Sequence, residues 1–217
     1  MTNFDFEFQS HPITSPGYFS CKVPDEVKHE LEQSINNIGS GRDPIALTLI
    51  GHNEKECELP VTPNLKYFTE SLAYEYGKVF GTNPFKVFIN DDEDHEYCLS
   101  ETWVNFSKKH DFNPIHNHAG VFSFVIWVKI PYDLDEELEV YSDKVNCSVN
   151  SLFEFSTIDS FGNINNQTIP VDKSYEWEMI FFPAQMMHQV YPFYTSDEFR
   201  VSIAGNIAFS VRNKNEM

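Results

Sequence analysis

The run Phe181-Phe-Pro-Ala-Gln-Met-Met-His188-Gln-Val-Tyr-Pro-Phe193, followed after six intervening residues by Arg200-Val-Ser-Ile-Ala-Gly-Asn-Ile207, decides how the C-terminal half is read. Short apolar runs separated by Pro and by Thr-Ser-Asp have the texture of strands joined by turns. Working outward, residues 102–106, 121–130, 138–141, 151–157 and 176–182 read as strands in the same way, with 188–191 and 200–209 inside the quoted run. Residues 121–130 are almost continuously apolar. Many short strands in succession predict an antiparallel sandwich or barrel, with the double-stranded β-helix (jelly roll, cupin-like) as the favoured form.

Two helices precede this region. Val27, Leu31 and Ile35 make an i, i+4, i+8 stripe that predicts an amphipathic helix beginning near Pro24 and ending near Gly39. A second is predicted over 63–80, with Thr62 as N-cap, Pro63 at the first position and Gly81 as the stop. Its expected buried stripe is Leu65, Phe68, Leu72, Tyr76 and Val79. Asp91-Asp92-Glu93-Asp94 reads as an exposed loop. The fold class is therefore α+β: residues 1–95 form a helical and extended region packing on a β-core at 96–217, in one structural domain.

Composition narrows the function classes. The chain has 217 residues, 41% of them hydrophobic and 15% aromatic, so it has enough apolar mass for a sizeable core. Its formal net charge is −18, which repels phosphate backbones and anionic headgroups and argues against nucleic-acid and membrane-surface partners. Cys21, Cys57, Cys98 and Cys147 lie more than thirty residues apart and show no CxxC pairing. No apolar leader or run near 18 residues occurs either. These features imply free thiols in a reducing cytosol.

The chemistry-bearing residues are few. His116 and His118 lie two apart in Asn113-Pro-Ile-His-Asn-His-Ala-Gly120, and i and i+2 share a face of an extended chain. Two such imidazoles either bind one ion with a third ligand from a distant strand, or are a surface or hydrogen-bonded pair. Three protein ligands on one face of an iron(II) centre leave three positions for co-substrate and oxygen. His188 is the distant candidate, and Arg200 follows it by twelve residues. That spacing lets Arg200 return on the next antiparallel strand with its guanidinium in the same barrel. There it can grip a carboxylate through two parallel hydrogen bonds, with the Ser202 hydroxyl facing the same way. The alternative is a surface arginine paired with Asp197 or Glu198, although the apolar surroundings Phe-Arg-Val-Ser-Ile-Ala favour a buried strand.

The quoted run, together with Trp103-Val-Asn105, Pro114-Ile-His-Asn-His118 and Ser123-Phe-Val-Ile-Trp127, resembles the 2-oxoglutarate/Fe(II)-dependent oxygenases. In particular it resembles prolyl-4-hydroxylase-like members found in bacteria and bacteriophages. The likeness covers roughly residues 97–209. It implies a hydroxylase that couples oxidative decarboxylation of 2-oxoglutarate to substrate hydroxylation, with O₂ as co-substrate and ascorbate as accessory reductant. The substrate it implies is a prolyl or other protein residue, or a small metabolite. The setting it implies is bacterial or phage-infected host cytoplasm.

By the same resemblance His116 and His188 are metal ligands, with His118 as the third. Arg200 and Ser202, with Asn105, bind the distal carboxylate of 2-oxoglutarate. Position 118 departs from most of the family, which carries His-x-Asp or His-x-Glu there. An imidazole in that place leaves the site one unit more positive, and Asp111 or Glu101 is the alternative third ligand. Trp103, Phe122, Ser123 and Trp127 are candidate pocket-lining residues, and Tyr97 a candidate hydrogen-bond donor to the co-substrate. Two other readings compete: a three-histidine, cupin-type dioxygenase without 2-oxoglutarate, and a non-catalytic jelly-roll binding or structural module. Oligomeric state is not legible in the sequence.

Overall fold

A computed structural model describes residues 17–38, 55–81, 83–88, 95–141, 143–144, 148–159 and 161–211. In chain order its elements are β1 (Phe19–Lys22), α1 (Asp25–Ile38), β2 (Lys55–Leu59), α2 (Pro63–Phe80), α3 (Pro84–Phe88), β3 (His95–Ser107), β4 (Asn113–His116) and β5 (Phe122–Lys129). They continue with α4 (Leu134–Glu139), β6 (Phe153–Ile158), β7 (Ile164–Ile169), β8 (Glu178–Pro183), β9 (Met187–Val190) and β10 (Arg200–Val211). The strands form a six-stranded sheet of order β1-β8-β5-β10-β3-β2 and a four-stranded sheet of order β4-β9-β6-β7. Every pairing between these strands is antiparallel. This is the predicted jelly roll, with the two outermost strands of the large sheet supplied by the N-terminal region.

The large sheet is buried on both faces, which explains why β5 reads as an unbroken apolar run. Phe122, Phe124 and Ile126 point to one side, where they join Val27, Leu31, Leu65 and Tyr76 of α1 and α2 in one hydrophobic cluster. Trp127 and the half-buried Val125 point to the other, where Ile180 and Phe182 meet Phe153 and Phe155 of the small sheet. His188 lies on this second side, against Phe153, Phe155 and Phe182.

Both predicted helices form, with local corrections. On α2 the buried positions are Leu65, Thr69, Ala73 and Tyr76, while Val79 is 66% exposed. Small residues at 69 and 73 let the helix approach β3 closely, and the Thr69 hydroxyl is satisfied by the Leu65 carbonyl at 3.0 Å. Thr62 has the extended backbone of an N-cap but makes no side-chain cap bond. Instead Glu30 of α1 accepts from the Asn64 backbone N–H (3.1 Å) and side-chain amide (2.9 Å). A carboxylate from the neighbouring helix thus serves the orphan donor. Gly81 stops α2 as predicted, in the left-handed region at φ 63°.

The strand expected at 138–141 does not form. Residues 134–139 are helical, because Asp133 accepts from the backbone N–H groups of Asp135 and Glu136 and so starts a helix. The short strands β1, β2, β4 and β7 lacked a long enough period to be read. Residues 1–16, Gly39 and the acidic run 91–94 lie outside the described residues.

Candidate metal and co-substrate site

β4 and β9 pair so that His116 stands opposite His188. His118 lies two residues past His116, beyond the strand end, and its backbone is fixed on both sides. Its N–H donates to the Ala184 carbonyl at 2.8 Å, and its carbonyl accepts from the Gln185 side-chain amide at 3.1 Å. The turn is completed by Gly120 at φ 98°, where a Cβ would lie 2.7 Å from the Ile207 carbonyl, so only glycine fits.

These constraints bring three imidazoles together. Ring centres are 4.3 Å apart for His116 and His188, 4.9 Å for His116 and His118, and 5.0 Å for His118 and His188. One ring nitrogen from each lies within 4.8 Å of the others, a spacing that can hold one metal ion. Nδ1 of His116 is 2.6 Å from the Pro114 carbonyl, and Nδ1 of His188 is 2.8 Å from the Met186 carbonyl. A carbonyl only accepts, so both Nδ1 atoms carry the proton and both Nε2 lone pairs are free.

Burial sets the charge state. It pushes the His188 pKa down to about 3 and that of His118 to about 4, each helped by the neighbouring His116, and it lowers His116 as well. All three are therefore neutral at pH 7. The walls are aromatic: the rings of Phe182 and Phe153 lie 4.8 and 5.6 Å from His188, and Trp103 lies 5.7 Å from His118.

Arg200 begins β10 and is only 3% exposed. Its Nη1 donates to the Tyr191 carbonyl at 3.3 Å and its guanidinium lies over the Phe193 ring at 5.2 Å. No carboxylate among the described residues pairs with it. The two acids considered as surface partners are engaged elsewhere, Asp197 with Lys109 and Glu198 with Lys129, each at 2.5 Å. Arg200 instead lines a small cavity with Ser202, Asn105, Trp127, Val125 and Val190. Cross-strand register explains the grouping, since Ser202 sits between Asn105 on β3 and Trp127 on β5. The Asn105 Oδ1 atom is buried and has no hydrogen-bond partner among the described residues.

A buried guanidinium with no counter-anion among the described residues fits an anionic ligand, toward which the Asn105 side chain can turn its N–H₂ group. Three convergent neutral imidazoles fit a divalent metal. The residues present therefore suit both groups.

The other sequence candidates separate. Trp103 and Trp127 face the site, whereas Phe122 and Tyr97 pack with α2 on the opposite face of the sheet. Ser123 donates to Asn206 Oδ1 at 2.9 Å and to the Gly205 carbonyl at 3.1 Å. Asp111 accepts from the Lys108 backbone N–H, and Glu101 accepts from the Asn206 amide. Neither acid joins the histidine group, which contains no carboxylate among the described residues. Sequence reading missed Glu137, which is fully buried and accepts from the Tyr194 and Thr195 backbone N–H groups and the Thr195 hydroxyl, bracing the segment before Arg200. It directly precedes the run 138–141 that reads as a strand, and nothing local distinguishes it from the acids beside it.

Residues 101–206 match the model of the family described as "Putative 2OG-Fe(II) oxygenase", within the span of the resemblance drawn from the sequence. This core is a 2OG-Fe(II) oxygenase. The oxygenase is similar in fold to a prolyl-4-hydroxylase from Pseudomonas putida, with 11% identity, 92% of this chain and 95% of the other covered, and a TM-score of 0.50. It is similar also to the structure of OsALKBH1, with 8% identity, 90% and 100% covered, and a TM-score of 0.52. No curated protein matches the chain by sequence. Family membership implies Fe(II) and 2-oxoglutarate as its cofactors, and His116, His118 and His188 can bind the metal. Of the three competing readings, the match supports the enzyme that uses 2-oxoglutarate. Among the described residues no helix is long and apolar enough to cross a membrane.

Proposed function

We propose that this oxygenase is a hydroxylase in which His116, His118 and His188 hold Fe(II) through their Nε2 atoms, while Arg200, Ser202 and Asn105 bind the distal carboxylate of 2-oxoglutarate. The observation that carries the reading is Arg200: a buried cation with no anion beside it among the described residues, on the same sheet face as Trp103, which touches His118. Its planar fork suits a carboxylate, and the Ser202 hydroxyl and Asn105 amide lie in the same cavity to complete the hydrogen bonding.

With iron bound, the site supplies oxidation by O₂ coupled to conversion of 2-oxoglutarate to succinate and CO₂, and a hydroxyl enters the substrate. The protein's part is positional. The Pro114 and Met186 carbonyls hold two imidazoles in the ligand tautomer, and the stitched turn at Ala184 and Gln185 presents the third. Phe153, Phe182 and Trp103 wall the histidines and exclude water. The substrate is a prolyl or other protein residue, or a small metabolite. Residues 1–95 act as a packing region of the same structural unit rather than an independent module. The protein works in the cytoplasm without nucleic-acid or membrane partners, in keeping with its net charge of −18.

The test is succinate release by purified protein supplied with Fe(II), ascorbate and 2-oxoglutarate. Slow turnover without added substrate is expected, absent in His188→Ala and in Arg200→Ala. Metal binding with no measurable 2-oxoglutarate affinity would overturn the assignment of Arg200.

A further inference from the structure

Down the inner face of the large sheet, β3 and β10 set Arg200 opposite Ser107 at one end, Ala204 opposite Trp103 in the middle, and Asn206 opposite Glu101 at the other. Trp103 touches His118, so the histidines stand between the two ends. At about 3.4 Å per residue, roughly 20 Å separates the levels of Arg200 and Asn206. A 2-oxoglutarate gripped at Arg200 and reaching the histidines occupies the first side. Substrate is left the second, where Glu101 lies.

Glu101 is held in place from within the sheet. Its Oε1 accepts from the Asn206 amide at 2.7 Å, and Asn206 Oδ1 accepts from the Ser123 hydroxyl at 2.9 Å. The Ser100 hydroxyl ties down the Asn206 carbonyl at 2.9 Å. Asn206 and Ser123 are 5% and 1% exposed, so this is a buried, satisfied network that ends at a carboxylate in solvent. The row continues inward, for Ser123 pairs with Phe182, whose ring packs on His188. Several other carboxylates, including Glu70, Glu178 and Glu198, are paired with lysines, whereas Glu101 has no cation beside it among the described residues. Its second oxygen accepts no hydrogen bond from them either.

We propose that Glu101 is a specificity-determining carboxylate that receives a cationic nitrogen of the substrate, the ammonium or guanidinium of a lysine- or arginine-like group, on the metal side away from Arg200. The proposal rests on the assignment of the histidines and Arg200 made above. A carboxylate fixed by a buried amide keeps its orientation at the moment of binding, so little ordering remains to be done when a cation arrives. The strongly acidic surface draws the same class of group toward the site.

The experiment measures succinate release by full-length protein with Fe(II), 2-oxoglutarate and ascorbate in the presence of matched peptide amides. Acetyl-Gly-Lys-Gly-amide is compared with its acetyl-lysine counterpart, and an arginine peptide with its citrulline counterpart. The cationic member of each pair should raise turnover several-fold over the neutral one. Glu101→Gln should bring the ratio to one, and Glu101→Lys should invert it toward a glutamate peptide. Equal responses to charged and neutral members in the wild type, or a preference that survives Glu101→Gln, overturn the proposal. No turnover of 2-oxoglutarate by the wild type under any condition overturns the underlying site assignment instead, and the proposal with it.

Discussion

His116 and His188 face each other across the β4–β9 pairing with ring centres 4.3 Å apart, and each donates its Nδ1 proton to a carbonyl two residues earlier in its own chain. The same local device on two strands turns two free Nε2 atoms toward one point. His118 reaches that point from a turn, and its ring has no hydrogen-bond anchor among the described residues. This asymmetry separates the expected roles of the three.

Loss of either anchored histidine should weaken metal binding. His188→Ala and His116→Ala should each lower Fe(II) affinity by at least tenfold, read by metal analysis after dialysis. His118→Asp should do the reverse, since a carboxylate removes one unit of positive charge from the loaded site and restores the ligand type usual in the family.

Arg200→Lys should leave metal content unchanged and weaken 2-oxoglutarate. A point charge replaces a two-pronged donor, and losing one charge-assisted hydrogen bond costs about 1.5–3 kcal/mol, or roughly 10- to 100-fold in affinity. Calorimetric titration of 2-oxoglutarate into the Mn(II)-loaded protein reads this directly. Unchanged affinity would remove Arg200 from the site.

The metal-free protein should become less stable as pH falls below about 6.5. His118 and His188 are held neutral in the folded state, down to about 4 and about 3, while the unfolded chain protonates them near the ordinary imidazole value of 6.5. The unfolded state therefore binds more protons in this window, and stability rises with pH. The contribution is fully present above about 7 and falls by about 1.4 kcal/mol per pH unit for each histidine as pH drops from about 6.5 to 4. The check is the difference in urea midpoint between wild type and His188→Gln at pH 7.5 and 5. A difference that does not change with pH contradicts the sign.

Glu137→Ala should destabilise the fold by about 3–5 kcal/mol, because it leaves the backbone N–H groups of Tyr194 and Thr195 buried without an acceptor. Thermal unfolding measures the loss. Affinity for 2-oxoglutarate should fall as well, since the same segment carries the Tyr191 carbonyl and Phe193 ring that hold Arg200.

Much of the site is legible in the sequence because its residues sit on long strands with a readable period. Arg200, Ser202 and Asn105 converge through alternation and register alone. His118 is less legible, since its position depends on the Ala184 and Gln185 contacts of a turn 66 residues away, which no local pattern encodes. At 138–141 a local signal opposes the strand pattern: Asp133 is an N-cap, and the helix it starts outweighs the apolar Leu138 and Val140. Val79 falls on the expected buried stripe of α2 yet is exposed, because the last turn of that helix faces solvent. Glu137 and the Ser123–Asn206–Glu101 network depend on tertiary neighbours and leave no trace in the period.

The central claim is that one metal ion and one 2-oxoglutarate share the space between His188 and Arg200. A crystal structure of the protein grown anaerobically with Mn(II) and 2-oxoglutarate tests it most directly. The account predicts the metal on Nε2 of His116, His118 and His188, with the distal carboxylate of 2-oxoglutarate between Arg200, Ser202 and Asn105. A metal ligated by a carboxylate side chain in place of His118, or a 2-oxoglutarate bound away from Arg200, would contradict it.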